Sequence, residues 1–162
     1  IIDALPKLSP EARNLITIEN DEMGHGLDES LELEKHLALV MDIHHHWIRD
    51  EEYITANDDR VKRVIDSWRG QRPTMHYSYS RDEHLAVANL GDKTHTEMHD
   101  IKMLLERGCK KQKLRAHSDL LPNAKVNDWA LSFGEHFDIQ TEAKGKNMAA
   151  EQLYRQHIKN SV

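Results

Sequence analysis

Leu37-Ala-Leu-Val-Met-Asp42 is an apolar run that ends in a carboxylate. Three similar runs, each ending in a carboxylate or a histidine, occur elsewhere in the chain. The other three runs are Asn14-Leu-Ile-Thr-Ile-Glu19, Pro73-Thr-Met-His76 and Phe137-Asp-Ile-Gln-Thr-Glu142. Each run has four to six residues, is rich in aliphatic and β-branched side chains, and is bounded by polar or turn residues. These are the features of a buried strand. Helix-like segments separate the runs, and this alternation predicts an α/β fold with a parallel sheet.

The residues that end the four runs are Glu19, Asp42, His76 and Glu142, and all four are of types that bind metals. Ligands of parallel sheets bind beyond the carboxyl ends of the strands, so we expect these side chains to converge there. Convergent Glu, Asp and His side chains predict a divalent metal site. Two simpler interpretations stay open: an ion pair between Glu142 and Lys144, and a core role for His76.

The segment Asp42-Ile-His-His-His46 is the sharpest local signal. An aspartate at the end of a strand supplies a rigid ligand. His45, three residues later in what we predict to be a loop, could reach a neighbouring ion. The spacing therefore suits a site that holds more than one metal ion.

Composition narrows the classes of protein to consider. The 162 residues include 38% hydrophobic residues, 12 histidines and one cysteine, Cys109, and the formal net charge is −6. No apolar stretch approaches the roughly 20 residues that a membrane span needs. A single cysteine excludes an intramolecular disulfide and fits a reducing compartment, so we expect a cytoplasmic protein. The negative charge argues against general polyanion binding, although Lys110-Lys-Gln-Lys-Leu-Arg115 is locally basic.

Helices are expected between the strands. Cap and periodicity signals place them at about residues 27–36, after an N-cap near Asn57, around Trp129 and at 147–159.

The longest connection, from Tyr77 to about Ala116, is predicted to contain a helical insertion at about 79–114. Thr94 and Glu97 in it have capping-box spacing ahead of an apolar helix pattern. His95 and His99 would lie four residues apart on that helix. We expect a solvated helix face there, with a zinc-binding pair as the alternative.

Five stretches together resemble the UV damage endonucleases, a family of TIM-barrel DNA-repair nucleases. The stretches are Leu15-Ile-Thr-Ile-Glu-Asn-Asp-Glu22, Met41-Asp-Ile-His-His-His46, Pro73-Thr-Met-His76, Arg115-Ala-His-Ser-Asp119 and Asp138-Ile-Gln-Thr-Glu-Ala-Lys-Gly-Lys146. They follow the order of the family, span about residues 8–146, and the first, second and last are specific in combination. The resemblance implies the C-terminal half, four βα units, of a (β/α)8 barrel of the xylose-isomerase-like superfamily, filling residues 1–162.

By this resemblance the chain is part of a metal-dependent endonuclease that incises the DNA backbone 5′ to UV photoproducts, and its partner is damaged double-stranded DNA. The resemblance also implies a cluster of divalent ions, with manganese expected and zinc or magnesium as alternatives. The family's ligands fall on Glu19 as a bridge between two ions, on Asp42, His76 and Glu142 around one ion, and on His45 and His117 around another. Such ions would activate a water and stabilise the departing 3′ oxygen.

The chain departs from the family pattern in two places. Thr74 occupies a position where some members carry a lysine near the metals, and the stretch from Tyr77 to Ala116 is longer than the pattern requires. A closed barrel takes roughly 250 residues. A half-barrel is therefore expected to be inactive alone and to pair with a missing N-terminal half or with a second copy through its open edges.

Two other functions are compatible with the same residues. A xylose-isomerase-like sugar isomerase or epimerase would use the metals to polarise a hydroxy-ketone. A half-barrel without activity would serve as an interaction module. The retained ligand types at four strand ends favour the nuclease over that module.

Overall fold

The structure is a computed structural model that describes residues 1–160. Four parallel strands form one open sheet in the order β1-β2-β3-β4. The strands are β1 (Thr17–Glu19), β2 (Ala38–Asp42), β3 (Thr74–Tyr77) and β4 (Asp138–Thr141). The predicted α/β class with a parallel sheet is confirmed.

Nine α-helices lie around this sheet in the part of the chain that the structure describes. They are α1 (Pro10–Asn14), α2 (Leu27–Leu31), α3 (Ile43–Asp50), α4 (Asp59–Ser67), α5 (Asp82–Leu85), α6 (Ile101–Glu106), α7 (Lys111–Leu114), α8 (Ala124–Leu131) and α9 (Asn147–Asn160). Short 3-10 segments span Ile2–Lys7, Ala86–Ala88 and Gly91–His95. Within residues 1–160 no helix is long and apolar enough to cross a membrane.

The core is built around the two central strands. Met41 of β2 and Met75 of β3 have no exposed surface, and the fully buried Tyr77 donates a hydrogen bond from its hydroxyl to Asn127 of α8 at 2.7 Å. Central parallel strands are covered on both faces, which is why their sequences read as nearly continuous apolar runs. Packing and this hydrogen bond therefore fix the position of the central strands relative to α8.

The outer strands are less buried than their sequences suggest. Residues of β1 and β4 are exposed or half-buried, and Leu15, in the first apolar run, is 84% exposed. The reason is topological: each outer strand has one neighbour in the described sheet, so part of its surface has no layer against it. The expectation that all four runs are buried is wrong for these two.

The histidine-rich segment after Asp42 forms helix α3 and not the loop that we predicted. The Asp42 carboxylate accepts a hydrogen bond from the His45 backbone N–H at 2.7 Å and so caps the helix directly from the end of β2. The helix buries His44, Trp47 and Ile48. No separate turn lies between strand and helix, because the last residue of β2 is itself the cap of α3.

The long connection between β3 and β4 also differs from its sequence interpretation. Its main helix, α6, begins after Asp100, whose carboxylate accepts from the Lys102 N–H at 2.9 Å. The capping box proposed at Thr94 is therefore wrong. His95 ends a 3-10 segment and His99 is buried outside any helix, so the pair does not share a helix face.

We predict that His99 makes the stability of the protein depend on pH. Its Nε2 lies 2.9 Å from the Thr94 carbonyl oxygen and 3.0 Å from the Tyr79 hydroxyl, and burial lowers the pKa of the ring below its usual 6.5. An unfolded chain binds a proton below about pH 6.5, whereas the folded ring resists it until lower pH. The free energy of unfolding should therefore fall as the pH drops from 6.5 to the folded pKa.

Urea unfolding at pH 7.5 and pH 5.5 measures this effect. The His99→Gln variant should be less stable at pH 7.5 but should lose less stability on acidification than the unaltered protein. His136→Gln, at an exposed position, is the matched control and should keep the original difference. An unchanged pH dependence in His99→Gln would contradict the prediction.

Candidate metal centre

The four residues that end the apolar runs meet at the carboxyl edge of the sheet. One ligand atom from each of Glu19, Asp42, His76 and Glu142 lies within 4.8 Å of the others. Parallel register explains this: Asp42 of β2 pairs with His76 of β3, and His76 in turn pairs with Gln140 of β4, two residues before Glu142. The predicted convergence is what the fold produces.

His76 lies between two carboxylates. Its Nδ1 is 3.1 Å from Glu19 Oε1 and 3.5 Å from Glu142 Oε1. The Glu19 carboxylate raises the pKa of His76 above its usual value, against the effect of burial. Glu142 therefore faces histidines, and among the described residues it makes no ion pair with Lys144, which was the simpler interpretation of that end of the strand.

Asp42 occupies the buried centre of the group. The side chain of Asn20 holds its backbone on both sides, since Oδ1 accepts from the Asp42 N–H at 2.8 Å and Nδ2 donates to the Asp42 carbonyl at 2.8 Å. One carboxylate oxygen caps α3, while Oδ2 is buried without a hydrogen-bond partner. Burial raises the pKa of Asp42 to about 7, although His45 and its backbone N–H act in the opposite direction.

His45 reaches toward the same centre from the first turn of α3. Its Nδ1 lies 3.6 Å from Glu19 Oε1, 3.7 Å from Asp42 Oδ2 and 3.1 Å from the Asn20 carbonyl oxygen. Its Nε2 lies 3.4 Å from Glu22 Oε2. Burial alone would lower the pKa of His45, but Asp42, Asn20 and the two glutamates together raise it.

His117, the sixth candidate from the sequence, lies at the rim. Its Nε2 is 4.0 Å from Glu142 Oε2, and its ring centroid is 6.4 Å from that of His45. A β-bridge to Ser80, just beyond β3, holds its backbone. Burial lowers the pKa of His117, which favours a neutral ring able to bind a metal.

Sequence reasoning assigned no role to Asn20, Glu22, His44 or Ser80, which surround the centre. Glu22 is a fully buried side chain whose Oε1 lies 2.5 Å from Arg115 Nε. The His44 ring is held between the hydroxyls of Ser78 and Ser80 at 2.7 and 3.0 Å. The signal for Asn20 and Glu22 was their place in the stretch Leu15–Glu22, one and three residues after Glu19. Thr74 is half-buried at the start of β3, two residues before His76, and its hydroxyl offers no charge.

Buried polar atoms that lack hydrogen-bond partners indicate whether these residues suit a cation. Asp42 Oδ2 is buried without a hydrogen bond, and His76 Nδ1 is buried with only the carboxylates of Glu19 and Glu142 near it and no aligned hydrogen bond. Buried polar atoms without partners are costly, and clusters of them call for an explanation such as an ion. Three carboxylates with a histidine within 4.8 Å supply the oxygen and nitrogen ligands that Mn²⁺, Zn²⁺ or Mg²⁺ accept. The residues therefore fit a divalent ion.

Known proteins are similar to this chain in sequence and in fold. A UV-damage endonuclease homologue of Acanthamoeba polyphaga mimivirus is 23% identical over 145 residues, which cover 87% of this chain and 42% of that protein. The crystal structure of SacUVDE has the same fold, with a TM-score of 0.63 and 21% identity, over 98% of this chain and 43% of that chain. This chain thus spans less than half the length of both. The four-stranded sheet corresponds to part of a TIM barrel.

The family model described as UV-endonuclease UvdE matches residues 1–161. This match covers almost the whole sequence and includes every side chain of the candidate metal centre. The chain therefore belongs to the UV-endonuclease UvdE family.

Proposed function

We propose that this chain carries one half of the catalytic centre of a metal-dependent endonuclease that incises DNA 5′ to UV photoproducts. The observation that carries the proposal is the convergence of Glu19, Asp42, His76 and Glu142 on one point. Family membership favours DNA as the substrate over the hydroxy-ketone of a sugar isomerase. An inactive half-barrel would have no reason to keep Asp42 Oδ2 and His76 Nδ1 buried without hydrogen bonds.

In this proposal Glu19, Asp42, His76 and Glu142 would hold one divalent ion, with manganese as our preferred metal. His45 and His117 would contribute to the binding of a neighbouring ion, to which Glu19 would also contribute. Bound ions of this kind lower the pKa of water and stabilise negative charge on a departing oxygen. The protein residues orient the site: Asn20 holds the end of β2, and Asp42 fixes the start of α3 through its cap.

The unpaired edges of β1 and β4 indicate that this chain needs additional strands to form an active enzyme. Within the described residues each of these strands is paired on one side only, whereas the strands of a closed barrel are paired on both. We infer that activity requires partners on both edges, either an N-terminal half of the barrel or a second copy of this chain. Activity is therefore proposed for the full-length protein.

Incision of UV-irradiated plasmid tests the proposal. The full-length protein should nick irradiated supercoiled DNA in Mn²⁺, leave unirradiated DNA intact, and lose this activity in EDTA. An end-labelled duplex with one thymine dimer should be cut on the 5′ side of the lesion. Equal nicking of undamaged DNA, or incision that persists in EDTA, would overturn it.

We predict that Glu22 supports His45 as a positioning residue. Its carboxylate lies 3.4 Å from His45 Nε2, on the side of the ring opposite the metal ligands. A carboxylate behind a metal-binding histidine fixes the ring, and loss of such a partner lowers metal affinity or activity roughly 10- to 100-fold. Glu22→Gln should therefore weaken Mn²⁺ binding by about that factor.

Calorimetric titration of Mn²⁺ into the metal-stripped full-length protein measures the change independently of DNA cleavage. Glu29→Gln, which removes an exposed carboxylate paired with Arg49, serves as the control and should bind Mn²⁺ normally. A Glu22→Gln protein with unaltered Mn²⁺ affinity and normal unfolding would show that Glu22 has no part in the site.

A further inference from the structure

The connection between β3 and β4 carries a concentration of positive charge in an otherwise acidic chain. Between residues 107 and 115 five cations occur and no carboxylate, although the whole chain has a net charge of −6. We call residues 107–115 the basic segment; its cations are Arg107, Lys110, Lys111, Lys113 and Arg115. The function proposed above leaves this segment without a role.

The basic segment is fixed at the carboxyl edge of the sheet, where the metal centre lies. The fully buried Leu114 anchors α7 in the core, and its carbonyl oxygen accepts from Ser80 Oγ at 2.7 Å. Lys111 Nζ donates to the Arg49 carbonyl at the end of α3 and pairs with Glu51 at 2.9 Å. The position of the segment is therefore set by packing and is not that of a free loop.

The far end of the segment touches the metal centre itself. Arg115 Nε lies 2.5 Å from Glu22 Oε1, and Glu22 lies 3.4 Å from His45. Two residues later His117 forms the bridge to Ser80. The Arg115 side chain stays 48% exposed while it makes this contact. The cations thus begin at the rim of the acidic site and extend away from it.

The cations of the segment fall into two groups. Arg107, Lys111 and Arg115 bind the protein, through the Ala88 carbonyl, Glu51 and Glu22 respectively. Lys110 and Lys113 are exposed, and within residues 1–160 their ammonium groups have neither an ion pair nor a hydrogen bond. A rigid segment that keeps two cations unpaired beside a cluster of carboxylates is suited to a ligand with regularly spaced negative charges.

We propose that the basic segment is a docking surface for the phosphate backbone of duplex DNA, with Lys110 and Lys113 as its phosphate contacts. This inference rests on the proposed endonuclease function. The carboxylates of the centre repel a polyanion at close range, so cations at the rim offset that repulsion and orient the strand. Contacts of this kind position DNA without reading its sequence or the lesion.

The salt dependence of DNA binding provides the test, because each phosphate contact releases counterions. Loss of two contacts should reduce the slope of log affinity against log salt by about 1.8. The comparison uses Lys110→Gln/Lys113→Gln and, as a control with the same charge change, Lys7→Gln/Lys35→Gln. Lys7 and Lys35 are exposed and lie before β1 and β2, at the opposite edge of the sheet.

Binding of a dimer-containing duplex and of the same undamaged duplex should be measured for the full-length protein in Ca²⁺ at several salt concentrations. We expect the Lys110/Lys113 variant to lose slope equally on both duplexes, while the control keeps the slope of the unaltered protein. Equal slopes in the two variants would overturn the docking surface while the endonuclease proposal stands. An unaltered protein that neither binds nor incises DNA would instead refute the proposed function.

Discussion

Glu19→Gln should reduce incision of UV-damaged DNA by at least about a thousandfold, which is the largest effect that we expect from any single change in this chain. The Glu19 carboxylate lies 3.1 Å from His76 and 3.6 Å from His45, and so it is the residue common to both parts of the centre. The amide keeps the shape of the side chain but removes the charge that would be shared by two ions. A thousandfold corresponds to about 4 kcal/mol of transition-state stabilisation, within what metal ions supply.

Two measurements separate this effect from damage to the fold. Calorimetric titration of Mn²⁺ should lose at least one binding event in Glu19→Gln, and the midpoint of urea unfolding without metal should change little because Glu19 is partly exposed. Glu32→Gln, an exposed position at the end of α2, is the control and should keep full activity and full metal stoichiometry. A Glu19→Gln enzyme with unaltered Mn²⁺ binding would refute the assignment of Glu19 as a bridging ligand.

Gly145→Ala should destabilise the protein by several kcal/mol, on the order of 2 to 4. A Cβ at Gly145 would collide with the backbone carbonyl of Asp119, which cannot rotate away as a side chain could. The same carbonyl accepts from the Gly145 N–H at 2.7 Å, and the Lys144 N–H donates to the Ser118 carbonyl at 3.0 Å. The two segments that these bonds join carry Glu142 and His117.

Gly145→Ala should also weaken metal binding, which a substitution at a glycine remote from the metal centre would not do. If the Asp119 segment moves away, His117 separates from Glu142, so Mn²⁺ affinity should fall together with stability. Gly134→Ala is the control, because its Cβ would meet a single backbone oxygen, that of Leu131, at 3.1 Å and far from the centre. Denaturant unfolding and Mn²⁺ titration of both variants check the prediction, and normal stability in Gly145→Ala would contradict it.

The sequence by itself determined the four strands and the candidate metal ligands at or next to their carboxyl ends. Apolar runs such as residues 37–42 are long and uniform enough to define buried parallel strands. Parallel strands must then bring their carboxyl ends to one edge. Convergence of Asp42 and His76 therefore follows from local pattern and topology alone, and the structure places them in register.

Local sequence predicted the boundaries of helices and strands less accurately than it predicted the strands themselves. Asp42 serves at once as the last residue of β2, the cap of α3 and a candidate ligand. Sequence patterns assign one role to each residue, so they predict a loop where helix α3 begins at Ile43. Thr94 and Glu97 had capping-box spacing, but the cap that forms is Asp100, because burial of Ile101 and Leu104 decides where α6 packs.

Only the tertiary structure decided which residues support the centre. Glu22 and Arg115 are 93 positions apart in the chain, and nothing in either local pattern relates them, yet their side chains form an ion pair behind His45. The same holds for His44, which lies between Ser78 and Ser80 of another strand end. The strand ends converge because parallel strands bring their carboxyl ends to one edge, and the apolar runs of the sequence predict such strands. Side chains behind them meet through the packing of helices and loops, and that packing depends on the whole chain.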